Sequence, residues 1–136
     1  MDNPSHHFNN VIIASGPVII NEENKVLLNK HGDSDLWKFP GGDIYEPVGE
    51  LEMWAIKRAQ EEMGLDIKIA KAIKPMVIWQ GDQVIILIHY LAELINEEFQ
   101  PADYIREWSW IDINNLPNDC SPNIKPVIEE YKKLKI

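Results

Sequence analysis

The chain has 136 residues, 45% of them hydrophobic and 26% charged, and its formal net charge is −9 at pH 7. This length and composition predict one folded domain with a single core, and they exclude a disordered chain. The negative charge argues against non-specific binding to nucleic acid or to an anionic membrane. No apolar run is long enough to span a bilayer, and the single cysteine, Cys120, suits the reducing cytoplasm, where we expect the protein.

The first part of the chain alternates β-rich segments with turn residues. Residues 1–10 are polar and predict a flexible N-terminal arm, whereas residues 11–136 form the predicted single domain. Gly16-Pro17 is expected to interrupt the first β-rich segment. The strands expected before the first helix comprise residues 11–13, 18–20, 26–28 and 36–40, of which the second and third pair as a hairpin.

A glycine-broken loop and a helix follow. Gly41-Gly42 allows a sharp turn and close approach of the backbone to a ligand. An apolar residue every fourth position predicts a helix over residues 51–63, and Gly64 is expected to end it in the left-handed conformation. Glu61 and Glu62 lie in its last turn, at the negative end of the helix dipole, where carboxylates are mildly destabilising. Two acids in that place suggest a cation site, although a solvated helix face is the alternative.

The rest of the chain returns to strands and ends in a helix. His89 lies within an apolar strand and is expected to be a core histidine satisfied by hydrogen bonds. Strands on both sides of one helix, followed by a terminal helix, predict an α+β fold. The later elements comprise strands at residues 67–73, 76–79, 84–91 and 105–111 and a helix that begins near residues 121–123.

The part of the chain at residues 41–65 resembles the signature of the Nudix hydrolase family. It contains, in order, Gly-Gly, a loop, Gly-Glu, a helix and Glu-Glu-x-Gly-Leu. Gly42 matches the first glycine of that signature, Glu50 the first glutamate, and Glu61-Glu62 the acidic pair, with Gly64-Leu65 at the end. The resemblance covers most of the chain through the order of its strands and helices. It implies the Nudix fold, a mixed β-sheet sandwiched between helices.

Two departures from the family pattern bear on the chemistry. Seven residues rather than five separate Gly42 from Glu50, so the loop is longer. Counting back from the acidic pair, the family's Arg-Glu falls on Lys57-Arg58, which puts a cation where the family has a carboxylate. Arg58 and Glu62 share one helix face at i and i+4.

The charge reversal at position 58 leaves two arrangements open. Arg58 pairs with Glu62 and occupies part of the space of a divalent ion, or it swings outward while Glu46 or Glu50 supplies the missing oxygen. In both arrangements Lys57 is expected to anchor the loop by pairing with Glu50 or Glu61. Lys57 keeps the positive charge of the family's arginine but not its bidentate fork.

The resemblance also implies roles for individual residues. Metal ligands are expected at Glu61, Glu62 and the Gly42 carbonyl, with Mg²⁺, or Mn²⁺ in its place, as the cofactor. Glu62 and Glu107 are the predicted catalytic carboxylates, and Asp103 is the second choice for the base. Tyr45 is expected to stack on a nucleobase and Arg58 to contact substrate. Glu50, Lys57 and Gly64 are assigned structural roles.

The implied activity is Mg²⁺-dependent hydrolysis of a nucleoside diphosphate linked to another group. The alternative is a Nudix-fold nucleotide-binding module with weak or no catalysis, because Arg58 replaces the usual glutamate. In both cases the partner is a small-molecule nucleotide diphosphate derivative, with no specific nucleic acid and no membrane. The protein is expected to be a monomer or a homodimer.

Overall fold

The computed structural model describes residues 10–134. The predicted N-terminal arm therefore lies outside the described residues, except for Asn10, which begins the first strand. The elements are β1 (Asn10–Ile19), β2 (Lys25–His31), β3 (Gly42–Asp43), α1 (Leu51–Met63), β4 (Ile67–Ala72), β5 (Met76–Gln80), β6 (Gln83–Leu94), β7 (Ile105–Asp112) and α2 (Ile124–Leu134).

The strands form a five-stranded mixed sheet and a two-stranded sheet. In the larger sheet β1 and β6 run parallel over their whole paired length, from Asn10 beside Gln83 to Ile19 beside Ala92. Strand β3 pairs antiparallel with the outer edge of β1, and β4 and β5 pair antiparallel with β6. The smaller sheet consists of β2 and β7 in antiparallel register.

The two helices lie on opposite sides of β1, because neighbouring residues of a strand point to opposite faces. Val18 packs in one buried cluster together with Ile128 of α2. The adjacent Ile19 packs in a second cluster together with Met63 of α1. The predicted α+β fold, a mixed β-sheet sandwiched between helices, is confirmed. No helix in the described part of the chain is long and apolar enough to cross a membrane.

Helix α1 spans the predicted residues. Ala55, Ala59 and Met63 are fully buried, so the four-residue repeat does mark the face that packs on the core. Gly64 ends the helix with φ 67°, and its N–H donates to the Gln60 carbonyl at 2.9 Å. This is the left-handed C-terminal cap that the sequence predicts.

Strand β1 corrects one prediction, because it continues through Gly16-Pro17 without a break. Both residues pair with β6, Gly16 beside His89 and Pro17 beside Tyr90. A proline is compatible with a strand where no ladder bond needs its missing N–H. A Cβ on Gly16 would lie 2.2 Å from the Pro40 carbonyl oxygen, so glycine lets the following loop lie directly against the strand.

The hairpin predicted between residues 18–20 and 26–28 is confined to its turn. The Asn21 N–H donates to the Lys25 carbonyl at 2.9 Å, and an isolated antiparallel bridge joins Ile20 to Val26. Among residues 10–134, strand β2 has its continuous pairing with the distant β7. The strand expected at residues 36–40 is reduced to two isolated bridges, Lys38 with Asn29 and Trp37 with Cys120. Local pattern does not encode the partner of a strand when that partner is remote in sequence.

Gly64 and Gly32 provide a matched test of the packing after α1. Both have a left-handed φ, 67° and 61°, but a Cβ on Gly64 would lie 2.7 Å from the Gln100 Cβ, whereas one on Gly32 would meet nothing within 4 Å. We expect Gly32→Ala to lower the free energy of unfolding by about 1 kcal/mol from backbone strain. Gly64→Ala should lose about 1–3 kcal/mol more from overpacking. Urea denaturation measures both, and equal losses would contradict this account.

Candidate active site

Glu62 points from the last turn of α1 into the protein and is 1% exposed. Its Oε1 accepts hydrogen bonds from the Asn29 side-chain amide at 2.9 Å and from the Gly41 backbone N–H at 3.2 Å. Gly41 has φ 119°, and a Cβ there would lie 2.6 Å from the Gly16 Cα. Only glycine allows this loop to lie between β1 and the Glu62 carboxylate.

The environment of Glu62 changes its proton affinity. Burial is the main cause, and it raises the pKa of Glu62 to about 7. The hydrogen bonds from Asn29 and Gly41 oppose the shift, because they favour the charged form. The carboxyl group therefore exchanges its proton near neutral pH.

Glu61 lies on the solvent side of the same turn, and both of its oxygens are engaged. The Tyr45 hydroxyl donates to Oε2 at 2.6 Å, and Nη1 of Arg58 donates to Oε1 at 3.2 Å. The Tyr45 hydrogen bond is the main cause that lowers the pKa of Glu61, and Arg58 adds to it. The two adjacent acids therefore differ in character, since Glu61 is held ionised and Glu62 is not.

Arg58 takes neither of the arrangements left open by the sequence. It forms its ion pair with Glu61, and its Nη2 lies 3.8 Å from the Asp43 carboxylate. Within residues 10–134 it has no ion pair with Glu62, and the exposed Glu46 and Glu50 form none with it. Its guanidinium packs against Gly42, where a Cβ would lie 2.4 Å from Nη2.

Lys57 and Tyr45 form the outer edge of this cluster. The Lys57 Nζ lies over the rings of Tyr45 and Trp54, at 5.1 and 5.0 Å from the centroids. Glu61 pairs with Arg58, and among residues 10–134 Lys57 forms no ion pair with Glu50 or Glu61, which corrects the predicted pairing. Cation–π attraction at this distance holds the loop to the helix. Tyr45 is half-exposed, but its hydroxyl is already bonded to Glu61. Glu50 is the N-cap residue of α1, without a side-chain capping bond.

A cavity of about 530 Å³ opens beside Glu62. One face of the mixed sheet forms its floor, with apolar side chains such as Ile12, Ile78 and Ile85. Lys38 and Arg58 bring positive charge to the wall that contains Asp43, Glu62 and the Gly41-Gly42 backbone. A cavity with an apolar floor and a cationic wall suits a ligand that is part ring system and part anion.

The cavity has a second polar region, at His89, Ser121 and Asn123. The Ser121 hydroxyl contacts Asn123 Oδ1, and Asn123 Nδ2 lies 3.1 Å from His89 Nε2. His89 Nδ1 has no hydrogen-bond partner in the described part of the chain, so the predicted satisfied core histidine is correct for one nitrogen only. Burial lowers the pKa of His89 to about 4, which keeps the ring neutral.

The segment predicted to supply a catalytic acid contributes a different residue to the cavity. Tyr104 lines it, and its hydroxyl interacts with Glu62 and Arg58 strongly enough to affect the pKa of Glu62. Glu107 lies on β7 outside the cavity lining, with an exposed side chain 4.0 Å from the Lys30 Nζ. Asp103 does not line the cavity either.

Two other site residues carried no sequence signal that identified their role. Asn29 is a fully buried amide that directly follows the apolar run of residues 26–28, and this position was the available hint. Asn123 precedes a helix, where asparagine is ordinary as a cap. Their contacts with Glu62 and His89 depend on chain segments that are remote in sequence.

The donors available for a divalent cation are few. Across residues 10–134, no three His, Cys, Asp or Glu side chains converge as a metal-binding group. The two carboxylates of the acidic pair, Glu61 and Glu62, fit a hard cation that brings other oxygen ligands with it. They do not make a complete site by themselves.

The fold agrees with the comparison to known proteins. The chain matches the NUDIX domain over residues 12–131 and belongs to the Nudix hydrolase family, whose members generally use divalent metals. It is 32% identical over 108 residues to a Bacillus subtilis (strain 168) protein provisionally named 8-oxo-dGTP diphosphatase YtkD, covering 79% of this chain and 66% of that protein. This chain thus spans slightly less than two thirds of that relative.

One more relative and one solved structure are also similar to this chain. An ADP-ribose pyrophosphatase of Methanocaldococcus jannaschii is 28% identical over 123 residues, which cover 86% of this chain and 71% of that protein. The crystal structure of a MutT NUDIX hydrolase from Burkholderia pseudomallei superposes with a TM-score of 0.80 at 18% identity, covering 90% of this chain and 98% of that one. The latter likeness establishes the fold.

Glu62 and His89 predict opposite effects of pH on stability. Folded Glu62 keeps its proton up to about pH 7, but an unfolded glutamate releases it near 4.5, so this group lowers stability as pH rises through that window. Folded His89 stays neutral down to about pH 4, but an unfolded histidine gains a proton near 6.5, so this group raises stability as pH rises. From pH 4.5 to 6.5 the two contributions oppose each other.

Single substitutions should separate them. On lowering the pH from 6.5 to 4.5, Glu62→Gln should lose about 3 kcal/mol of unfolding free energy relative to the parent chain, and His89→Gln should gain about as much. Urea unfolding at three pH values in the presence of EDTA measures these slopes. Two variants with the same slope as the parent would show that these groups do not titrate in this way.

Proposed function

We propose that this protein hydrolyses a nucleoside diphosphate linked to another group, with Mg²⁺ as the cofactor and Mn²⁺ as a substitute. The observation that carries the proposal is the position of Glu62, buried beneath Gly41 in the wall of a cavity that also contains Lys38 and Arg58. An acidic group that exchanges protons near neutral pH thus lies beside cations that suit phosphate.

The diphosphate would bind at the cationic wall of the cavity. Lys38 attracts it as a point charge, and the planar guanidinium of Arg58 can donate two parallel hydrogen bonds to phosphate oxygens. The glycines at positions 41 and 42 let the phosphates approach the backbone closely. Glu61 and the Gly42 carbonyl would hold the magnesium ion together with phosphate oxygens, and the ion would supply positive charge against the negative charge that develops on those oxygens.

Glu62 is the residue that we propose as the general base. It accepts a proton from a water molecule as the water oxygen bonds to phosphorus, and the bridging P–O bond breaks with its electrons passing to the departing phosphate oxygen. A base with a pKa near the working pH is the most efficient in this step. Glu107 remains the alternative base from the sequence, and its exposed position outside the cavity lining makes it the weaker candidate.

The nucleoside would lie on the apolar floor of the cavity. The 8-oxo-dGTP and ADP-ribose named for the two relatives both join a purine nucleoside to a chain of phosphates, and a compound of this class suits the floor and the wall together. Tyr45 at the outer edge would stack on a base only after its hydroxyl leaves Glu61. We propose that the enzyme acts on this free small molecule in the cytoplasm, as a monomer or homodimer.

The test is Mg²⁺-dependent turnover of a panel that contains 8-oxo-dGTP, dGTP, ADP-ribose and a dinucleoside polyphosphate. We expect Glu62→Gln to reduce kcat by about 10²–10⁴-fold, the ordinary contribution of a general base. Glu52→Gln, an exposed glutamate on the first turn of the same helix, is the matched control and should retain activity. Full activity in Glu62→Gln together with loss in Glu107→Gln would transfer the role of base to Glu107.

The ion pair between Arg58 and Glu61 favours a second candidate, a nucleotide-binding module with little catalysis. In that function the 3.2 Å contact keeps Glu61 from any metal, and the cationic wall serves affinity alone. Tight binding of one compound in the panel without Mg²⁺, combined with no turnover of any of them, would support the module over the enzyme.

A further inference from the structure

Hydrogen bonds within the protein already engage both carboxylates of the acidic pair. Both Glu61 oxygens accept hydrogen bonds, from Tyr45 and from Arg58. Oε1 of Glu62 accepts two, and Tyr104 also hydrogen-bonds to the Glu62 side chain. Glu62 is also almost completely inaccessible. A divalent cation that enters this site must therefore displace internal donors.

Arg58 already supplies the positive charge that the pair requires. Its guanidinium fills the space between Gly42 and Glu61, with Nη2 also 3.8 Å from Asp43. The Nε of Arg58 is buried and has no hydrogen-bond partner among residues 10–134. A buried N–H donor without a partner is costly, so the guanidinium gains from an anion that reaches it.

We propose that Arg58 is an internal counter-ion that closes the acidic pair to divalent cations in the free protein, and that the metal ion enters only together with the diphosphate of the ligand. The phosphate oxygens complete the coordination of the ion, and Arg58 passes from Glu61 to the phosphate. Magnesium is commonly held by one or two carboxylates plus substrate phosphates. This inference rests on the ligand class of the proposed function, and it does not depend on hydrolysis.

Linkage makes the proposal quantitative. If diphosphate and metal bind as a unit, each must raise the affinity of the other by the same factor. The probes are Mn²⁺, followed by electron paramagnetic resonance of the free ion, and the α,β-methylene analogues of ADP and GDP, whose bridging bond resists hydrolysis. We expect Mn²⁺ to bind at least about tenfold more tightly with an analogue than without, and the analogue to gain the same factor from Mn²⁺.

The variant Arg58→Glu removes the counter-ion and adds a carboxylate beside the acidic pair. It should bind Mn²⁺ without any nucleotide, and the analogue should no longer raise its affinity for Mn²⁺ by much. Arg106→Glu is the matched control, because it makes the same charge change at a half-exposed arginine that pairs with Asp35, away from the cavity. It should bind Mn²⁺ as the parent chain does.

The outcomes separate this proposal from hydrolysis. Either of two results overturns the proposal that Arg58 is an internal counter-ion: a saturable Mn²⁺ site in the parent chain without nucleotide, or no linkage between Mn²⁺ and either analogue. The substrate panel then judges turnover separately. Linked binding without turnover of any substrate supports the counter-ion and rejects the hydrolase. If Arg58→Glu does not fold, the linkage measured on the parent chain alone decides.

Discussion

The burial of one ionisable side chain, Glu62, sets the relative positions of three separate parts of the chain. A carboxyl group removed from water is costly unless hydrogen bonds compensate it. Here the compensation comes from β2 through Asn29 and from the glycine loop through Gly41, while the side chain itself belongs to α1. The helix, the strand and the loop are therefore held by the same two hydrogen bonds, and the cavity wall is fixed where they meet.

The charges at the cavity differ from the net charge of the chain. The whole chain is strongly acidic, which opposes the approach of phosphates over long distances. Close to the cavity the local balance is different, because two cations, Lys38 and Arg58, lie beside the carboxylates of Asp43 and Glu62, and Glu62 holds its charge only above neutral pH. An anionic ligand thus finds attraction only in the immediate neighbourhood of these two cations, which favours a small ligand over an extended polyanion.

Sequence patterns predicted what depends on local geometry. Apolar spacing and a terminal glycine gave both ends of α1, and the acidic pair was located from its place on that helix. The same spacing could not select the partner of Arg58, because residues three and four positions away are both within reach on a helix. The choice of Glu61 depends on Tyr45 and Asp43, which belong to the loop.

Contacts between remote segments were the part that the sequence could not predict. The pairing of β2 with β7, the role of Asn29 and the position of Tyr104 all require two chain segments that no local pattern relates. The prediction for the segment before β7 illustrates this limit, since the segment reaches the cavity through an aromatic hydroxyl, whereas Glu107 points elsewhere. Carboxylates can be found by composition, but their orientation depends on strand register.

The parallel pairing of β1 with β6 has a consequence for how the chain acquires its shape. Asn10 pairs with Gln83, so during synthesis the first strand leaves the ribosome long before its main partner exists. Contacts of such high sequence separation slow folding, because the chain must close a large loop before they form. The cavity floor includes these two strands, so the binding surface is completed late, after the acidic helix has been synthesised. In the interval the apolar edge of β1 is exposed and can pair with other chains. Rapid completion of the chain, or a chaperone, prevents this pairing.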